Sequence, residues 1–163
     1  MSAAADRSLH DRAAIGDVLM RYFSGIDRGD VAMVRSCFTD DVRAEHHGHG
    51  ADEGIEALMG WLGSLPARLA SGEVKTAMHF AGPPHFERLD PDAAETETCA
   101  LAFLVRPGDP DRLTVRGLRY FDRFRRTAEG WKISERRHAL EWSSEQSADF
   151  AATVAERARK DRP

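Results

Sequence analysis

The chain reads as an α+β fold in which helices come first and a run of long antiparallel strands follows. Ile15, Val18, Leu19, Tyr22 and Ile26 recur at three-and-four spacing, the signature of an amphipathic helix. The later half instead carries extended stretches rich in β-branched and aromatic residues, separated by Gly and Pro turns. No helical pattern alternates with those strands, as a βαβ layout would require. A single sheet of this length must curl with one face covered, and the leading helices are the obvious cover.

Residues 7–28 form the first helix, with Asp6 or Ser8 as its cap, and Gly29 stops it. Asp30 caps a short second helix carrying Val31, Val34 and Phe38. Thr39-Asp40-Asp41 then turns the chain into an extended segment over 42–46, which the glycines at 48, 50 and 54 break. From Gly54 the spacing of Ile55, Leu58, Met59, Leu62 and Leu65 is helical again, until Pro66 or shortly after. Strands follow over 73–81 with a continuation near 85–89, then 94–106, 113–126 and 131–142. Pro107-Gly-Asp-Pro110 is a hairpin loop and Thr127-Ala-Glu-Gly130 a turn. Phe150, Val154 and Ala158 share one side of the tail, so 144–160 is expected to be a closing helix.

With 163 residues, 42% apolar and 31% charged, the chain suits one domain, 1–163, large enough to bury a core and a ligand cavity. No repeat, low-complexity tract or linker marks a second one. A net charge of −4 gives no reason to expect nucleic acid, although twenty arginines stand against three lysines. Cys37 and Cys99 are isolated and too few for a disulfide framework, and the N-terminus lacks the layout of a signal peptide. No run approaches the roughly 18 apolar residues of a membrane span. The expectation is a soluble cytoplasmic protein with no membrane partner.

Several pieces, taken in order, resemble the SnoaL-like branch of the NTF2-like (cystatin-like) superfamily over about residues 7–142. They are the RYFSGIDRGD helix end, the SCFTDDV entry to the first strand, the Gly54-Ile-Glu-Ala57 start of the third helix, the Met78-His-Phe80 strand and GLRYFDRFRRTAEGWKI in the last hairpin. The resemblance implies a conical barrel: a strongly curved, mostly antiparallel sheet wrapped around three N-terminal helices, with a deep pocket at the open end. It also implies a homodimer or higher homo-oligomer. The fold hosts dehydratases, isomerases, cyclases, epoxide hydrolases and proteins without catalysis, so the site has to decide.

Tyr22 lies on the apolar stripe, so its ring is expected to be buried with its hydroxyl on a polar partner or a cavity. Asp27 is five residues on, about 140° around the helix, at the stripe's margin near the C-terminal end. His79 alternates with Ala77 and Ala81, small neighbours that leave room beside the imidazole. Each alone has a bland reading, a core tyrosine, a turn aspartate and a strand histidine. In SnoaL-like dehydratases of the bile-acid type, a tyrosine and an aspartate at this spacing meet a histidine in the MHF-type strand, and Tyr22, Asp27 and His79 match them one by one. A carboxylate on one ring nitrogen fixes the tautomer and makes the other nitrogen the base, while a buried phenol donates to an oxygen gaining charge. Such chemistry needs no metal and no organic cofactor.

Departures matter too. The dehydrochlorinase relatives carry a lysine at the Tyr22 position, which argues against halide elimination. Ketosteroid isomerases place an aspartate base where this chain has His46; if Val42, Ala44 and His46 point inward, His46 is a second proton carrier. His47 and His49 invite a metal reading, but no further ligand set is placed by spacing. Glu97 either faces the cavity or pairs with an arginine, and Arg126 sits where some relatives contact substrate. Trp61 and Met59 suit a pocket wall, although core packing is the expected role for each, and Tyr120 is a further candidate for contact with substrate.

The expected activity is a cofactor-independent lyase that removes water from a small hydrophobic substrate bearing a carbonyl, such as a steroid or polyketide. The alternatives are an isomerase or cyclase using His46 as base, and a non-catalytic binding module.

Overall fold

The computed structural model describes residues 3–64, 76–106 and 109–147. Helix α1 (Ala3–Arg28) is followed by α2 (Val31–Ser36), strand β1 (Phe38–His46), strand β2 (Gly50–Glu53) and helix α3 (Ile55–Leu62). Then come β3 (Thr76–Ala81), β4 (His85–Leu89), β5 (Ala93–Arg106), β6 (Asp109–Thr127) and β7 (Gly130–Ser147). The fold is α+β with leading helices and a curved mixed sheet, as the sequence predicts.

The seven strands make one sheet in the order β2-β1-β7-β6-β5-β3, with β4 paired to β5 beyond the end of β3. Every pairing is antiparallel except β1 with β7. Register shifts interrupt β6–β7 at Gly117/Leu118 and Arg123/Phe124, and β4–β5 at Phe86/Arg88. Such bulges bend a strand and sharpen its twist, which is how strands this long curl instead of lying flat. On the inner face Phe38, Val42, Leu118, Phe124, Trp131 and Ile133 meet the α1 stripe of Ile15, Val18, Leu19, Tyr22, Phe23 and Ile26. Alternation along β5 is clear, with Thr96, Thr98, Ala100 and Ala102 buried and the intervening side chains turned outward.

Some expectations need correction. Helix α1 begins at Ala3, so Asp6 and Ser8 lie inside it rather than capping it; Asp6 serves the first turn, where a carboxylate complements the helix dipole. Asp30 does cap α2, accepting from the Met33 backbone N–H at 2.9 Å. The first strand begins at Phe38, not after a turn at 39–41, because Ile133 N–H donates to the Cys37 carbonyl and draws the chain into the sheet there. The glycines do not simply end that strand. Gly48 and Gly50, at φ of 78° and 105°, turn it back into β2, conformations that a side chain would strain. Helix α3 closes on Gly63 after Leu62; Leu65, Pro66 and residues 73–75 lie outside the described residues. Residues 144–147 are not helical: they extend β7 and pair with Arg112–Val115. The rest of the expected closing helix, and Pro107-Gly108, also lie outside the described residues. Among the described residues no helix is long and apolar enough to cross a membrane.

Candidate active site

Helix α1 carries Tyr22 and Asp27 toward the end of the sheet where β3 begins. Its last turns are seated by α2, since Gly25 lets Val34 approach so closely that an added Cβ would stand 2.8 Å from Val34 Cγ2. Asp27 therefore reaches β3. Its Oδ2 accepts from the His79 backbone N–H at 2.8 Å and its Oδ1 lies 2.7 Å from His79 Nδ1. Two contacts to one residue fix both the carboxylate and the ring, and they leave Nε2 as the free ring nitrogen. Phe23 stacks on the imidazole at 5.3 Å between centroids.

His79 lines a cavity of about 320 Å³ together with Tyr22, Tyr120, His46, Trp61 and His138. Leu104, Leu118, Ala102, Ile26 and Leu62 supply its apolar walls, and Arg116 stands among them. The cross-strand row Thr98–Tyr120–His138–His46 explains the aromatic floor: these residues are directly opposed on successive strands and so point to one face. Trp61 lies over His46 at 4.4 Å, and His46 lies beside His138 at 5.4 Å.

Tyr22 and Tyr120 are both buried, and burial raises both phenols above their ordinary pKa, against the opposing pull of the Arg136 guanidinium. They are neutral hydrogen-bond donors at neutral pH. Burial pushes His46 down to about 3 and His138 down to about 4, helped in each case by Arg136. Among the described residues neither His46 ring nitrogen has a hydrogen-bond partner, nor has His138 Nδ1.

Of the residues singled out from the sequence, Tyr22, His79, His46, Trp61 and Tyr120 meet at this cavity, and Asp27 stands behind His79. Glu97 does not. It shares strand parity with the outward-facing side chains of β5 and is ion-paired with Arg119 on the outer face of the sheet. Arg126 is also elsewhere: it donates to Asp11 at 2.6 Å and lies over the Trp131 ring at 4.4 Å, tying the sheet to the first half of α1. Met59 packs against the core rather than lining the cavity. His49 stacks on Trp61 with its Nε2 3.2 Å from Asp52 Oδ1, and among the described residues no three His, Cys, Asp or Glu side chains gather as a metal-holding group.

Sequence reasoning missed Arg136, Asp122, His138 and Arg116. Arg136 is 1% exposed and makes two 2.7 Å bonds to Asp122, with its guanidinium 4.1 Å from the Tyr22 ring centroid and 4.7 Å from that of Tyr120. Trp131 and Ile133 set an odd-numbered inner parity on β7, but the Arg123/Phe124 bulge shifts the register and brings Arg136 and His138 inward. Arg116 carried a signal, since it shares parity with Leu118 and Tyr120.

A family model for the SnoaL-like domain matches residues 7–137. An uncharacterized protein of Mycobacterium tuberculosis is 29% identical over 144 residues, covering 83% of this chain and 93% of that one. An NTF2-like protein with a cystatin-like fold from Novosphingobium aromaticivorans superposes with a TM-score of 0.70 at 26% identity, over 94% of this chain and 92% of that one. A hexachlorocyclohexane dehydrochlorinase from Novosphingobium barchaimii superposes with a TM-score of 0.72 at 17% identity, over 88% and 95%.

Proposed function

The chain belongs to the SnoaL-like family, and on that premise we propose that it is a cofactor-independent lyase that removes water from a small hydrophobic molecule bearing a carbonyl group. The observation that carries this reading is the doubly tethered Asp27–His79 pair at the wall of an apolar cavity. Asp27 holds the imidazole tautomer with its proton on Nδ1, so Nε2 takes the proton beside the substrate carbonyl. Tyr22, a neutral donor, hydrogen-bonds the carbonyl oxygen as it gains charge, and the β-hydroxyl departs as water with the proton His79 has collected. The carbon–hydrogen and carbon–oxygen bonds break, a carbon–carbon double bond forms, and His79 returns to its starting state.

The similar dehydrochlorinase fold is compatible with elimination in such a pocket. The isomerase or cyclase alternative asks His46 to be the base. Burial and the nearby Arg136 charge hold His46 down to about 3, which makes it a poor proton acceptor at neutral pH. The binding-module alternative fits less well with a polar pair this firmly built. We extend the proposal to a homodimer through the outer face of the sheet, where Met78, Phe80 and Trp142 are exposed. A cytoplasmic setting fits the two free cysteines, Cys37 and Cys99.

The test is a thermal-shift screen of β-hydroxy ketones of steroid and aromatic polyketide type, since a ligand stabilises the native state. Each compound that raises the midpoint is incubated with the protein and followed by mass spectrometry. Loss of water that survives His46→Ala supports the reading. Conversion without mass loss that depends on His46 would favour the isomerase or cyclase, and binding without conversion would favour the binding module.

A further inference from the structure

Strand β6 carries six arginines, and five of them face a carboxylate. Arg112 pairs with Glu145, Arg119 with Glu97 and Glu141, Arg123 with Glu135, Arg125 with Asp41, and Arg126 with Asp11. Arg116 breaks the pattern. It lines the cavity, no acidic side chain lies opposite it, and its Nε is inaccessible to solvent without a hydrogen-bond partner among the described residues. The described lining of the cavity contains no carboxylate at all, and Asp27 behind it is already committed to His79.

The register shows where this cation stands relative to the proposed base. His79, Ala102 and Arg116 are directly opposed on β3, β5 and β6, so all three side chains point to the inner face. Two strand spacings separate His79 from Arg116, roughly 10 Å between backbones. The residue between them is an alanine, whose methyl leaves the lane from imidazole to guanidinium open. The neighbouring row supplies no second cation, because His138 and His46 are held neutral by burial.

Resting on the reading of the cavity as an elimination site, we infer that Arg116 is the anchor for a carboxylate on the substrate, which is thus an amphipathic acid: an apolar body, a reacting carbonyl at His79 and Tyr22, and a monoanionic group across the Ala102 lane. A guanidinium presents parallel N–H donors that match a carboxylate in a bidentate geometry. A single positive charge with no carboxylate in the described lining suits a single negative one; a phosphate dianion would call for more. An unpaired Nε shielded from water is the donor such a ligand would satisfy.

The experiment compares 2-naphthoic acid with 2-naphthamide, two flat apolar probes that differ in the anionic group, by titration calorimetry on the full chain. The wild type is expected to bind the acid about tenfold tighter or more, the effect of one charge-assisted pair in a partly desolvated site. Arg116→Gln is expected to abolish that preference while leaving the amide affinity unchanged, and Arg116→Lys to retain part of it. Equal binding of acid and amide by the wild type, binding of neither, or a preference that persists in Arg116→Gln would overturn the inference. His79→Ala is expected to keep the acid preference. The elimination reading is judged by turnover and this one by the acid-to-amide ratio, so either can fail alone.

Discussion

His46 and His138 sit side by side in the cavity, and their surroundings disfavour the protonated ring of each. Both titrate below the ordinary value of 6.5, at about 3 and about 4, because burial and the Arg136 charge disfavour the imidazolium. Between those values and 6.5 the unfolded chain binds protons that the folded one refuses. The stability these two groups contribute is therefore full above about pH 6.5 and falls as pH drops toward about 4 and then about 3. We predict that the thermal midpoint declines between about pH 7 and pH 4.5, and that a His46→Leu, His138→Leu double variant declines less steeply, measured by calorimetry across that range. Equal slopes would show that other groups control the acid response. Legibility in the sequence divides these two residues. His46 could be read from its alternation with Val42 and Ala44, and the alternation holds in β1. His138 could not, because a bulge on the paired strands changes which residues face inward, and a bulge leaves no mark that periodicity detects.

At the scale of elements, the meeting of α1 with β3 depends on how closely α2 supports the last turns of α1. Gly25 permits that approach, with Val34 Cγ2 and the Val34 backbone nitrogen 2.8 and 3.1 Å from where a Cβ would sit. Gly25→Ala is expected to destabilise the fold by roughly 1–3 kcal/mol, the usual cost of overpacking, read as a lower urea midpoint. An unchanged midpoint would mean that the two helices separate freely. The helices were legible because a stripe of Ile15, Val18, Leu19, Tyr22 and Ile26 has one physical interpretation. The strand ends were harder. The β1–β2 hairpin was hidden because its second strand, Gly-Ala-Asp-Glu, has no apolar alternation and is held by ladder bonds to β1. The extension of β7 to Ser147 was likewise hidden: its Ser, Glu and Gln residues carry no apolar alternation and join the expected closing helix, and only pairing with β6 makes them a strand. Arg126 was misplaced for a related reason, since the partner that claims it, Asp11, is 115 positions away in the chain.

For the whole molecule, a curved sheet closes one face around α1 and leaves the other outward, and the outer row Phe80–Leu101–Gly117–Trp142 joins an apolar strip to it. Phe80 is 70% exposed. In the proposed homodimer that ring is covered, so Phe80→Glu is expected to convert a dimer to a monomer in light scattering, whereas a wild-type monomer or a dimer indifferent to the change would remove this face from the assembly. The same closure gives the cavity its meaning, bringing a helix end and a strand that are 52 residues apart into hydrogen-bond contact at Asp27 and His79. The most direct measurement is turnover of His79→Ala beside its thermal midpoint, on a compound the wild type dehydrates. The account predicts a loss of about 10²–10⁴-fold, the range for removing a general base, with the midpoint nearly unchanged. Full activity in that variant would contradict it.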